Sequence, residues 1–221
     1  LLQFSLPLFC SNMLQQVYNL TDTALAGHLL GSAALVEIGA TAALYGLIMN
    51  FAFGMNNGLA LTVSRCFGAG EREGIRRAVG WMVTLSAAVS IVLTTVSLLG
   101  RGALLQALQV PAEVWDGAAA YLTVILLGIP LTMLYNMEAA LLRAVGNSVT
   151  PLLFLLFSSV LNVGLDAAFM GPLGMGVRGA AVATVLAQGI SAVWAQCIWS
   201  AAIRSCTSPP RISKSLPAAR S

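Results

Sequence analysis

The sequence predicts an all-α membrane protein, a bundle of six transmembrane helices. Of its 221 residues, 58% are hydrophobic and only 9% are charged, whereas a soluble domain carries roughly 25% charged residues. Six apolar stretches are long enough to cross a bilayer, which takes ~20 residues of helix. Little length remains for a soluble domain. The net charge of +3 comes from scattered basic residues, so no nucleic-acid partner is expected.

The six predicted spans form one domain over residues 1–203. They run from about 5 to 26, 34 to 63, 78 to 99, 118 to 142, 151 to 170 and 179 to 203. Thr150 and Pro151 are typical of a helix start, with Thr150 as the cap. The tail, residues 204–221, is rich in serine, proline and basic residues and is predicted to be disordered.

Basic residues are unevenly distributed among the predicted loops. Nine of the eleven lysines and arginines lie in the loop between spans 2 and 3, the loop between spans 4 and 5, and the tail. Only Arg101 and Arg178 lie on the other side. Cytoplasmic loops carry the excess of Lys and Arg, so both termini are predicted to lie on the inner side of the cytoplasmic membrane.

An acidic residue in the fifth span is the main functional signal. Asp166 lies in the apolar run 152–170, although an aspartate at the centre of a bilayer helix costs ~2.5–3.5 kcal/mol. Asn162 is four residues earlier and shares its helix face. An amide oxygen beside a carboxylate suits Na⁺ or a proton. We therefore predict a cation site on this face.

Other polar residues have plainer interpretations. Glu138, near the inner end of span 4, is interpreted as structural, and Arg143 is expected to pair with Glu138 or with lipid headgroups. The four cysteines lack metal-binding spacing and there is a single histidine, so neither a metal centre nor an enzyme is predicted. A channel would need rings of charge or a filter sequence, and neither is visible.

Five short motifs follow one another in a fixed order. They are Tyr18 to Gly27, Phe67 to Gly70, Tyr135 to Ser148 with Pro151, Asn162 with Asp166, and Gly176 to Thr184. Each motif is weak alone. In this order and spacing, from Pro7 to about Ala202, they resemble the N-terminal lobe of the MATE (multidrug and toxic compound extrusion) efflux transporters, in the MepA-like bacterial branch.

The resemblance implies a transporter of twelve helices in two six-helix lobes, which exchanges Na⁺ or H⁺ for cationic amphipathic drugs without another cofactor. Its partners would be membrane lipid and small cationic substrates. The motifs match one lobe and do not recur, and the chain starts at Leu1 on the edge of a span. We therefore expect a truncated or fragmentary transporter that lacks its C-terminal lobe. The alternatives are a non-transporting membrane fragment and a passive pore.

The resemblance also implies roles for individual residues. The cation site would consist of Asp22, Asn162, Asp166 and Thr184. Tyr121, Asn19 and Gln15 would line the substrate cavity, and Pro7 would mark a bend in the first helix. The chemistry of the residues agrees independently, because carboxylate, amide and hydroxyl oxygens are ligands for Na⁺. Two nearby carboxylates in a low dielectric also resist double ionisation, which favours holding a proton.

Overall fold

The computed structural model describes the backbone of residues 2–207 and the side chains of residues 9–197. The described elements are α1 (Leu2–Leu30), α2 (Ser32–Gly68), α3 (Arg72–Leu99), α4 (Arg101–Ala107), a 3₁₀ turn (Ala112–Val114), α5 (Trp115–Ala144), α6 (Val149–Met170) and α7 (Val177–Thr207). Within this part of the chain every regular element is helical. The predicted all-α fold class is confirmed.

Each predicted span lies inside one of the six long helices, and each helix is longer than its span. Five of them, α2, α3, α5, α6 and α7, are long and apolar enough within the described residues to cross a membrane. The exception is α1, whose described part carries polar side chains that include Gln15, Asn19 and Asp22. Those side chains are the ones that the family resemblance assigns to the cavity and the cation site.

The helix ends differ from the predictions in three places. The connection after α3 was expected to be a loop, but it forms α4 and the 3₁₀ turn. Thr150 does not cap α6: its backbone N–H lies inside the first turn and donates to Asn147 Oδ1 at 3.0 Å. Helix α7 continues to Thr207, four residues into the predicted tail, and residues 208–221 lie outside the described residues.

Helix α5 is the central element, because α2, α3 and α7 all pack against it. It contributes Leu122, Leu126, Ile129 and Met133 to the fully buried core. Helix α1 packs mainly on α6, which packs on α7. Large apolar side chains cover the outer surface; Trp81, for example, is 67% exposed. Such a surface suits contact with lipid, where an outward apolar side chain carries no cost.

Small residues allow α5 and α7 to approach closely. Helix α7 turns a face of buried alanines inward, namely Ala180, Ala181, Ala183, Ala187, Ala192 and Ala195. On α5, a Cβ atom added at Gly128 would overlap the side chain of Val185 on α7. In lipid, helices associate through packing and interhelical hydrogen bonds rather than through a hydrophobic driving force, so this fit holds the two helices together.

One end of the bundle is basic. The C-terminal half of α2, the N-terminal half of α3 and the C-terminal half of α5 meet there around Val63, Met82 and Leu141. We call this the basic end; it carries Arg65, Arg72, Arg76, Arg77 and Arg143. The opposite end is called the far end.

The contact at Gly128 gives a stability prediction. Gly128→Ala should destabilise the chain by about 1–3 kcal/mol, because the added methyl overpacks the contact with Val185. Thermal unfolding in detergent micelles measures it. Gly164→Ala is the matched control, since Gly164 lies in helix α6 with nothing within 4 Å of the added Cβ. Equal midpoints for the two variants would contradict the proposed fit.

The orientation in the membrane stays a prediction with a direct test. After replacement of the native cysteines by serine, single cysteines are placed at the exposed positions Glu71, Glu113 and Leu173. A membrane-impermeant maleimide added to intact cells should label positions 113 and 173 but not position 71, because the basic end faces the cytoplasm. Labelling of position 71 from outside would reverse the orientation.

Candidate cation site

Two carboxyl groups meet across the interface between α1 and α6. Asp22 on α1 and Asp166 on α6 lie within hydrogen-bonding range of each other. Asp166 is fully buried, whereas Asp22 is half-buried. The two residues are far apart in the chain, and the packing of α1 on α6 brings them together. Two carboxyl groups in contact need a proton or another cation between them, because like charges at this distance repel strongly in a low dielectric.

Asn162 and Thr184 connect this pair to α7. Both are buried. In the amide orientation that satisfies both ends of its side chain, Asn162 Nδ2 donates to Asp166 Oδ2 at 2.9 Å and Asn162 Oδ1 accepts from the Thr184 backbone N–H at 3.1 Å. The Thr184 hydroxyl donates to the Ala180 carbonyl at 3.0 Å. The structure thus brings together the four residues that the sequence assigns to the cation site; their role in binding a cation stays a prediction.

Each carboxyl group keeps one oxygen without a partner. Asp22 Oδ1 and Asp166 Oδ1 are both buried and make no hydrogen bond within the described residues. An unsatisfied buried oxygen of a charged group is costly, so such groups usually have an explanation in function. The two free carboxyl oxygens and the Thr184 hydroxyl are hard-oxygen groups of the kind that bind a proton or Na⁺.

Aromatic and amide side chains surround the cluster. Tyr121 on α5 is buried beside both acids, as the resemblance implies. Sequence reasoning did not assign a role to three neighbours, which are Tyr18, Tyr45 and Gln188. Tyr18 lies beside Thr184, and Tyr45 lies beside Gln188. Gln188 Oε1 accepts a hydrogen bond from Thr132 Oγ1 at 2.6 Å. Its position four residues after Thr184 was the available sequence signal.

The other predicted residues lie on α1. Gln15 Nε2 donates to Asn19 Oδ1 at 3.4 Å, one helix turn away, and Asn19 is exposed. They stand on the same helix as Asp22 but are not part of the buried cluster. Pro7 falls within α1, but the structure does not describe its side chain. Their roles in lining a cavity and in helix bending stay predictions.

The cluster lies in the far half of the bundle. Asp166 is four residues from the end of α6, and Thr184 is seven residues from the start of α7. At 1.5 Å per residue these positions are ~6 Å and ~10 Å from the far end. The site is therefore displaced from the basic end, although the sequence alone placed Asp166 deep in an apolar run.

Arg143 does not pair with Glu138. The expectation that Glu138 is one of two possible partners of Arg143 is therefore wrong. Arg143 Nη2 donates to Asn57 Oδ1 at 3.3 Å, and its guanidinium lies over the ring of Phe53, 5.5 Å from the centroid. Both residues belong to α2. Glu138 lies on another face of α5 and has no hydrogen-bond partner within the described residues.

Comparison with known proteins then identifies the family. A family model described as MatE matches residues 7–168. The chain belongs to the MatE family. This is a family of transporters rather than of enzymes. The part of the chain that matches the family model contains Asp22, Asn162 and Asp166. The resemblance stated from the motifs is confirmed.

Relatives with curated descriptions are named as drug-resistance proteins. The chain is 32% identical to the probable multidrug resistance protein YpnP of Bacillus subtilis over 191 residues, which is 86% of this chain and 43% of YpnP. It is 22% identical to the multidrug export protein MepA of Staphylococcus haemolyticus, over 88% of this chain and 43% of MepA. The chain thus spans under half the length of these relatives.

Solved structures share the fold. A transporter of the MOP superfamily from Pyrococcus furiosus superposes with a TM-score of 0.84 at 26% identity, covering 95% of this chain and 48% of that chain. The bundle α1–α7 therefore corresponds to about half of such a transporter. The predicted fold, one six-helix lobe of a MATE transporter, agrees with this match.

The amide at position 162 can be tested by stability. Asn162→Ala removes the donor to Asp166 Oδ2 and should destabilise the chain by ~1–3 kcal/mol, the cost of leaving a buried acceptor unpaired. Asn50→Ala is the control, because Asn50 is exposed and donates only to the Gly46 carbonyl of its own helix; its effect should stay within ~0.5 kcal/mol. Thermal unfolding in micelles compares them. An equally small effect at both positions would show that Asn162 does not support Asp166.

Proposed function

We propose that this chain forms the cation-binding lobe of an exporter that exchanges Na⁺ or H⁺ for cationic amphipathic compounds across the cytoplasmic membrane. The observation that carries the proposal is the buried contact between Asp22 and Asp166, each with one oxygen unpartnered, in a chain of the MatE family. The names of the relatives, as multidrug resistance and export proteins, support the substrate class. The second wall of the transport cleft would come from a second lobe.

The pair supplies a physical basis for coupling. Without a bound cation, two facing carboxylates are costly in a low dielectric and attract any nearby positive charge, including a cationic substrate. A proton or Na⁺ between them removes that charge. A substrate held by the same field is then released, so the two cations compete for one negative centre. This competition is what an antiporter requires.

The position of the pair links cation binding to helix packing. Asp22 belongs to α1 and Asp166 to α6, and α1 packs on the bundle mainly through α6. A cation that bridges the two groups stabilises the contact between these helices, while its loss weakens it. A ligand shifts a conformational equilibrium only by its different affinity for the two states. Here the difference arises because one ligand oxygen is carried by each helix.

A passive pore is the competing function. It would let a cationic dye equilibrate in either direction, whether or not a Na⁺ or proton gradient is present. The described bundle has a closed interior around α5, filled by Leu122, Leu126, Ile129 and Met133. This core favours the carrier over the pore.

Transport assays test the proposed role of Asp166. In a full-length transporter with this sequence as its first lobe, Asp166→Asn should abolish gradient-driven export, since it keeps the shape but removes the charge. Asp166→Glu should retain part of the activity. Efflux of ethidium from membrane vesicles is measured under an imposed Na⁺ or pH gradient. Asp116→Asn, at the start of α5 near the far end, is the control for loss of one negative charge and should export normally.

Full gradient-driven export by Asp166→Asn would refute the mechanism. Equal ethidium movement with and without a gradient in the unsubstituted protein would favour the pore instead. The 221-residue chain reconstituted alone should show no export, because it supplies one wall of the cleft.

A further inference from the structure

Arg143 is a cation at the basic end for which the described residues supply no acidic partner. It is the second-to-last residue of α5 and is half-buried. The ion pairs in this part of the chain are those of Arg76 and Arg77 with Glu73. Tyr135 lies near the guanidinium, but a neutral phenol does not offset a positive charge. A charge taken out of water without a partner is unfavourable, so an anion beside Arg143 would be stabilised.

Two side chains of α2 fix the orientation of the guanidinium. Arg143 Nη2 donates to Asn57 Oδ1 at 3.3 Å. The guanidinium carbon lies 5.5 Å from the centroid of the Phe53 ring, which is within the range of a cation–π contact. Asn57 Nδ2 in turn donates to the Phe53 carbonyl at 2.7 Å. The guanidinium is therefore held by two residues that are one turn apart on the same helix.

One nitrogen of the guanidinium stays available to a ligand. Nε is buried, so no ligand from outside reaches it, and Nη2 is already bonded to Asn57. Nη1 makes no hydrogen bond with the described residues and, unlike Nε, is not buried. Phe53 is 44% exposed, so the ring under the guanidinium lies at the surface of the bundle. A ligand oxygen can thus accept from Nη1 while the contacts with α2 stay in place.

The surroundings favour phosphate as the anion. A phosphate group offers several charged acceptor oxygens and pairs well with a guanidinium. Basic sites between helices on the cytoplasmic side of a membrane typically bind phosphate headgroups, and the basic end is predicted to face the cytoplasm. The negative end of the α5 dipole also favours a cation in the last turn. That dipole does not require the guanidinium to be stacked and bonded in one orientation, whereas binding of an anion does.

We propose that Arg143, stacked on Phe53 and bonded to Asn57, binds a phosphate group at the basic end of the bundle. Arg143 Nη1 donates to a phosphate oxygen, and the negative charge of the phosphate compensates the guanidinium. Because the same guanidinium belongs to α5 and contacts α2, the bound phosphate also stabilises the contact between these two helices. The site lies at the end of the bundle opposite the cation cluster and does not depend on the exchange proposed there.

Two sources can supply this phosphate group. One is the headgroup of an anionic phospholipid in the inner leaflet, and the other is inorganic phosphate dissolved in the cytoplasm. Both present the same oxygens to Arg143. Only the lipid adds an apolar chain that can contact the exposed Phe53 ring, so competition between the two separates them.

Lipid binding is measured by native mass spectrometry of the 221-residue chain, released from detergent micelles during a titration with phosphatidylglycerol. Arg143→Gln should weaken the tightest binding step about tenfold, through loss of a charged hydrogen bond. Arg143→Lys should weaken it less, because an ammonium keeps the charge but lacks the planar fork. Phe53→Leu should weaken it about two- to fivefold, through loss of the cation–π contact. Arg72→Gln removes the same charge from an exposed position at the same end and should bind as the unsubstituted chain.

Sodium phosphate in large excess over the lipid identifies the source. Displacement of phosphatidylglycerol from the unsubstituted chain shows that the site takes free phosphate, and unchanged lipid binding shows that it takes the headgroup. Equal weakening by Arg143→Gln and Arg72→Gln would reduce the effect to general charge and overturn the proposal. So would binding of phosphatidylglycerol no tighter than that of dioleoylglycerol, which has no phosphate.

Gel filtration and circular dichroism check that the variants fold. Phe53→Leu changes an exposed side chain and should fold normally. If Arg143→Gln does not fold, Phe53→Leu decides alone, and its binding phosphatidylglycerol as tightly as the unsubstituted chain would contradict the proposed site.

Discussion

The close contact between α5 and α7 is the constraint on which the rest of the bundle depends. It exists because Gly128 leaves room for Val185 and because α7 turns small residues toward α5. Lipid supplies no hydrophobic force that would draw two helices together, so this fit has to come from shape and hydrogen bonds. The Thr132–Gln188 bond lies in the same interface. Helix α6 packs on α7, and α1 packs on α6.

The polar cluster connects the same three helices, α7, α6 and α1. Thr184 is fixed with α7, Asn162 joins it to α6, and Asp22 completes the cluster from α1. Inside the cluster the amide and hydroxyl groups are satisfied, whereas one oxygen of each acid is left open. A partly satisfied network in a low dielectric is unfavourable by itself. In the proposed function, a small cation would complete this network, and its binding would change the free energy of the lobe by more than a surface contact would.

Sequence reasoning succeeded where the signal is local. Apolar runs of sufficient length predicted the six long helices, and the spacing of Asn162 and Asp166 predicted their common face. It failed where the signal depends on packing. The contacts of Tyr18 and Tyr45 with α7 have no counterpart in any short motif. The start of α6 was misassigned because the side chain of Asn147, rather than that of Thr150, accepts a hydrogen bond from a backbone N–H of the first turn.

The alanine face of α7 has a consequence for how this lobe tolerates evolutionary change. Outward side chains such as Leu47, Trp81 and Val96, all more than 60% exposed, can exchange for any residue of similar polarity, because lipid accommodates every shape. Ala180, Ala181 and Ala183 are at most 1% exposed, so a larger side chain at any of them would overpack the core and destabilise it. At these buried positions of α7, a change in side-chain volume is therefore expected to cost more stability than a change in hydrophobicity.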